Sequence, residues 1–407
     1  MGFLNESAAP EKHHGGKNGV QVEQRTRSAD IVTTLASIVP KLQLVLVDND
    51  RVSNTAASIS TNVIAPSIRS KTFPDNIYPT MLELLEELTR VASSAKSWKK
   101  DVSDAFNDPR FFSFSVSLVK DHWLRILDQW NVQEKDRLPE LLSRLTAPTT
   151  AGIMFGVGAT SARQEADRRT QLNLQRIALL ILSAADDTFA PHLPAISENI
   201  VALLTATPAS SPSSVTRAEL FLLLRVIVLK ISAIHLAPLW PIINAELASA
   251  IASILPDNGN HEKYNNASVI QACKLLDTFV VLQPDDFQLH EWLFLTDTID
   301  AVYKPADWTP AALVDEVAES LGALGMESDI SISQQESGGS RKPMFDALLK
   351  QAGDVGKMSK QELTSKVLRP WLGQLSILAF ETVYAMAEPD VEGVRDGVLE
   401  DLFEEGG

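Results

Sequence analysis

Asn265-Asn-Ala-Ser-Val-Ile-Gln-Ala-Cys-Lys-Leu-Leu-Asp-Thr-Phe-Val-Val-Leu-Gln-Pro284 is the stretch that decides the fold. Val269, Ala272, Cys273, Leu276 and Val280 recur at three- and four-residue spacing, so they share one face of an α-helix. Pro284 lacks a backbone donor and ends that helix.

The same pattern continues on both sides. Upstream, helices are predicted at about 161–185, 191–205, 213–235 and 238–254, with a shorter one at 134–145. Downstream, residues 287–301 read as a helix with Leu289, Trp292, Leu293 and Ile299 on one side. Thr309-Pro310 reads as a cap followed by proline at the first helical position. Its helix would bury Leu313, Val314, Val317 and Leu321 and end at Gly322. Thr80-Met-Leu-Glu83 and Ser359-Lys-Gln-Glu362 have the capping-box pattern. The second opens a helix to about Ala387, interrupted by Pro370.

Nearer the start, 28–47 and 50–69 read as two helices, with Pro40 bending the first and the Leu42–Val47 run taken as helical. Another helix follows Pro109. No alternating strand pattern stands out. Residues 1–27 read as a disordered lead-in. Residues 147–160, 206–214 and about 326–343 read as loops or disorder, the last being rich in Ser, Gln and Gly. No exact repeat period is present. The expectation is an all-α fold, an irregular HEAT/armadillo-like helical solenoid of antiparallel helix pairs over residues 28–403.

Composition agrees with that class. The chain has 407 residues, with 45% hydrophobic and only 6% aromatic side chains. Its single cysteine, Cys273, excludes an internal disulfide and a cysteine-based zinc site. The net charge of −16 offers no overall attraction to nucleic acid. No apolar secretory core segment opens the sequence. The most apolar window, Leu220–Ile243, carries Arg225, Lys230 and His235. A membrane centre penalises each cation by about 2.5–3.5 kcal/mol, so the window reads as a buried helix whose cations exit at its edges or meet carboxylates.

Chemistry is sparse. No HExxH or GxSxG is present. Gly152, Gly156 and Gly158 have neither the preceding strand nor the lysine of a phosphate loop. Cys273 lies on the buried stripe and reads as a core thiol. No catalytic, metal or cofactor-binding residue is assigned, and an enzyme is not expected.

Two charged regions remain. Lys96-Ser-Trp98-Lys99-Lys100 is a compact basic cluster. Lys96, Trp98, Lys99 and Lys100 are candidates for anionic-lipid contact, with Trp98 at the interface. The competing reading puts Trp98 in the core and the lysines in water. Carboxylates dominate from 285 to 329, where Lys304 is the only Lys or Arg. A core would not want Asp285, Asp286, Glu291, Asp297 and Asp300, so they are candidates for a protein interface. The competing reading is a solvated acidic face.

Three stretches carry a family resemblance. They are Gln271–Asp277 with Pro284–Phe294 and Thr296–Asp300, then His235–Ile243 with Glu246-Leu247, then Trp98-Lys-Lys with Phe106 and Phe111-Phe112. Arg369-Pro-Trp-Leu372 and Phe380-Glu-Thr382 match more loosely. Together they resemble the C-terminal region of the Dopey family, over roughly residues 28–400. The resemblance implies a large cytosolic protein, peripheral on Golgi and endosome membranes, that acts in membrane traffic. It implies a large HEAT-repeat partner related to Arf exchange factors, an aminophospholipid flippase, phosphoinositide recognition at anionic membranes and a kinesin link. Dopey proteins are several times longer, so functions of their N-terminal region do not carry over. Trp240, Trp292 and Phe294, within the matched stretches, are expected in the core.

Overall fold

The computed structural model describes residues 29–91, 96–145, 159–204, 213–255, 263–324 and 340–403. The lead-in 1–27 lies outside the described residues. So do 147–158, 206–212 and 326–339 of the expected loops. The chain divides into two compact units. One runs to Phe111 and includes Asp121–Gln133; the other holds Phe112–Lys120 and everything from Glu134 onward.

In the first unit, helices α1 (Asn49–Ile59), α2 (Pro79–Val91), α3 (Lys96–Asn107) and α4 (Leu124–Gln133) pack around Trp98, Phe106, Phe111, Trp123 and Trp130. Phe106 meets Trp130 edge-on at 5.3 Å between ring centroids, and Phe111 meets Trp123 at 4.9 Å. These are favoured aromatic geometries. Asp48 caps α1, accepting from the Asp50 N–H at 3.0 Å. Helix α2 starts a residue earlier than Thr80 allows. Tyr78 O accepts from the N–H groups of Met81 and Leu82, so Pro79 takes the first position and the expected Thr80 capping box does not form. The Leu42–Val47 run is helical only to Val45, and Leu44, Val45 and Val47 are exposed.

The second unit contains α5 (Arg137–Ser143), α6 (Ala159–Ser183), α7 (Leu193–Leu204), α8 (Ser214–Lys230), α9 (Trp240–Ala252) and α10 (Asn266–Leu282). It continues through α11 (Leu313–Ser320), α12 (Phe345–Ala352), α13 (Arg369–Tyr384) and α14 (Val391–Phe403). Helix α8 packs against both α6 and α10, and also meets α14. Neighbours on several sides explain why its Leu220–Val228 run is buried throughout. Arg225 inside that run pairs with Asp401, and Lys230 leaves at the edge to Asp186 at 2.5 Å. Among the described residues no helix is long and apolar enough to cross a membrane.

Among the described residues the fold is all-α apart from one two-residue parallel bridge, β1 (Ser340–Arg341) with β2 (Glu388–Pro389). Ser359 forms both bonds of its capping box with Glu362. Gly322 takes a left-handed φ of 65°. The Ala323 N–H then reaches Ala318 O at 2.7 Å, closing α11. Helix α11 begins at Leu313 without a side-chain cap, so Thr309 does not cap it. Two wide π-turns, Ser60–Ile64 and Thr364–Leu368, each stand just before a helical proline, Pro66 and Pro370. A proline ring collides with the carbonyl four residues back. Here that residue, Asn62 or Lys366, sits in the widened turn.

Candidate functional site

The acidic candidates lie where α10 gives way to irregular chain. Gln283 closes α10 in the left-handed region, with φ of 45°, and Pro284 prevents further helix. The expected 287–301 helix does not form. Three short turns replace it, at Asp285–Gln288, Glu291–Leu293 and Ile299–Ala301.

Buried aromatics hold this segment. Phe287 stacks on Phe279 at 4.9 Å and on Phe294 at 6.4 Å, with Trp240 beside Phe279 at 5.2 Å. Trp240 and Phe294 are therefore core, as expected. Polar bonds fix the rest. The Thr296 N–H donates to Ser376 Oγ at 3.1 Å, and the hydroxyls of Thr296 and Ser376 both donate to Asp315.

The five acidic candidates separate. Asp285 and Asp297 are exposed, and Asp300 is half-exposed. Asp286 is half-buried and accepts from Trp240 Nε1 at 3.0 Å, so it serves the core. Glu291 is 8% exposed. Burial pushes its carboxyl up to about 7, Asp297 adds to that, and Arg341 opposes it. Glu291 is therefore not a surface charge.

Sequence reasoning missed the apolar side chains beside these acids. Trp292 is 60% exposed, Leu289 71% and Tyr303 72%, with Ile299 also outside. The expectation of a buried Trp292 is overturned. In a 3-10 turn residues three apart are eclipsed. Glu291 and Phe294 both point inward, so Trp292 and Leu293 between them face out. A helical wheel cannot show this, because it assumes a helix that the chain does not form.

The basic candidates fare differently. Trp98 is 1% exposed in the core of its unit, and cannot serve as an interfacial anchor. Lys96 and Lys100 are exposed and Lys99 is half-buried.

A third polar group lies inside the second unit. Asp401 pairs with Arg225 and with Lys274 at 2.5 Å, and Lys274 also meets Asp346 at 2.7 Å. A half-open cleft of about 370 Å³ adjoins it, lined by Lys274, Asp346, Lys350, Glu400 and Asp401. The cations here already hold carboxylate partners, including Lys350 on Glu400. Cys273 is fully buried, and burial raises its thiol pKa far above the usual range. Among the described residues no cluster of His, Cys, Asp and Glu could hold a metal ion.

The described residues define an all-α helical protein that exposes Leu289, Trp292 and Tyr303 in an acidic segment. Comparison with known proteins gives the family. Residues 4–385 match the family model described as DOP1 C-terminal. Protein dop1 of Emericella nidulans is 47% identical over 385 residues, covering 94% of this chain and 20% of that protein. Protein DOP1 of Saccharomyces cerevisiae is 25% identical across 92% of this chain and 21% of its own length. Protein DOP1B of Mus musculus is 27% identical across 72% of this chain and 12% of its own. The chain belongs to the Dopey (DOP1) family. It spans about one fifth of the length of the two fungal relatives. No solved structure matches.

Proposed function

We propose that this chain is a non-enzymatic interaction module of a trafficking protein that is cytosolic and peripheral on Golgi and endosome membranes. It holds protein partners through the face built by residues 285–303. The family membership supports the setting. The observation that carries partner binding is the solvent-facing Trp292 beside the open carboxylates of Asp285, Asp297 and Asp300. Exposed apolar side chains that cluster among polar ones are the composition of an interaction surface. The partners proposed are a large HEAT-repeat protein related to Arf exchange factors and an aminophospholipid flippase.

The test is a pull-down from cytosol on the immobilised chain at two salt concentrations, read by mass spectrometry. The expected result is salt-sensitive recovery of the HEAT-repeat protein, reduced by reversing Asp285, Asp297 and Asp300. Unchanged recovery by a folded charge-reversed variant would move the interface elsewhere. The second reading, contact between anionic lipid and Lys96, Lys99 and Lys100, loses its anchor because Trp98 is buried.

A further inference from the structure

We infer that the Trp292 surface takes a basic amphipathic segment of a partner protein, whose apolar side chains cover Trp292 and Leu289 while its cations meet Asp297 and Asp300. This rests on the interaction-module reading and names the chemistry of the partner.

Three observations carry the assignment. The apolar side chains are held outward by the fold. Phe287, Phe294 and Leu295 are buried beneath them, and Thr296 is tied to Ser376 and Asp315. A rigid apolar face loses little conformational entropy when covered, and tryptophan is prominent among residues that dominate interface energies.

The charge around the face is open. Residues 285–307 contain six carboxylates and one cation, Lys304. Lys304 already lies over the Trp308 ring at 4.8 Å. Among the described residues no lysine or arginine pairs with Asp285, Asp297 or Asp300. Those carboxylates would be left without partners under an acidic or neutral occupant, whereas a basic one supplies their counter-ions.

The same charge disfavours the other occupants. An anionic membrane would be repelled by the exposed carboxylates of the same segment. A second copy would bring its own acidic face, in a chain of net charge −16. Helix α13 packs against residues 299–301 and helps to hold the segment in place.

The test uses the full chain and a synthetic helical peptide with Leu and Phe on one face and Lys and Arg on the other. A scrambled peptide of the same composition controls for charge alone. Titration calorimetry should show binding that weakens with salt and at least tenfold weaker binding of the scrambled peptide. Trp292→Ala should weaken the amphipathic peptide at least tenfold at an unchanged melting temperature. Asp297→Lys with Asp300→Lys should do the same and flatten the salt dependence. No binding, or equal affinity for Trp292→Ala, overturns the assignment. A dimer abolished by Trp292→Ala in light scattering would give the face to a second copy. Vesicles containing phosphatidylserine that bind in a Trp292-dependent way would give it to lipid. Either result also overturns it. If the cytosolic partner is still recovered while the peptide result fails, only this surface is lost. If no partner is recovered at all, the module reading itself fails.

Discussion

Asp401 is the counter-ion of Arg225, although 176 positions separate them. Both side chains are nearly covered, and the same carboxylate also holds Lys274 at 2.5 Å. Burial alone would raise the Asp401 carboxyl. Lys274 and Arg225 outweigh it and hold that carboxyl below the usual range. Removing one partner of a buried pair strands the other charge, at about 3–5 kcal/mol. Asp401→Ala should therefore lower the stability of the second unit by about that amount in urea unfolding. A loss under about 1 kcal/mol would show that Arg225 finds enough compensation in Gln271 at 3.1 Å and Thr278 at 3.4 Å.

Two other acids, Asp277 in the core and the half-buried Glu219, work in the opposite direction. Burial pushes Glu219 up to about 8, against the Gln175 amide that donates to it at 2.8 Å. It pushes Asp277 up to about 7, although the N–H groups of Phe345 and Met344 bond its Oδ2. Unfolded carboxylates titrate near 4, roughly. The folded chain thus keeps protons that the unfolded chain has released. The stability these groups contribute is complete below about pH 4, declines as pH rises, and is gone above the folded values of about 7 and 8. Urea midpoints should fall between pH 5.5 and 8, and Glu219→Gln should flatten that fall. A midpoint that rises over the same window would contradict the assignment.

Gly397 shows which of two effects wins. Replacing a mid-helix glycine by alanine gains up to about 1 kcal/mol in helix propensity. Here a Cβ would stand 2.7 Å from Asp346 Oδ2 and 3.6 Å from Arg225 Nη2. Asp346 must then leave its position beside Lys274. Gly397→Ala should be net destabilising, by about 1–3 kcal/mol, in thermal or urea unfolding. A stabilised variant would mean that Asp346 is free to move.

Trp98→Ala should behave as a core truncation, costing about 3–5 kcal/mol. Lys96→Glu with Lys100→Glu should leave the melting temperature nearly unchanged, since both are exposed. Melting curves of the two variants check this. Equal curves would return Trp98 to the surface.

The α-helical class and most helix positions were legible because stripes such as Val269 to Val280 carry their period over several turns. Arg225 and Lys230 were correctly read as ions that find carboxylates. Their particular partners were not legible, because Asp401 lies 176 positions beyond Arg225 and no local spacing links the two. The candidate site was half legible. Its acids were visible as composition, but Glu291 and Asp286 turn inward to Arg341 and Trp240. The outward Trp292 depends on a break into 3-10 turns that residue spacing does not reveal. Trp98 shows the reverse case, in which neighbouring lysines suggest an interface and packing against other elements puts the ring in the core.

The distance in sequence between Arg225 and Asp401 sets an order on synthesis. A nascent chain that has extruded α8 lacks its buried counter-ion until 176 further residues are made. At about 5–20 residues per second, that is roughly 10–35 seconds on the ribosome. Over that interval α8 carries an unneutralised guanidinium in an otherwise apolar run. The second unit therefore closes its interior only after α14 emerges, and a ribosome that stalls before that helix leaves a chain with an unfinished core.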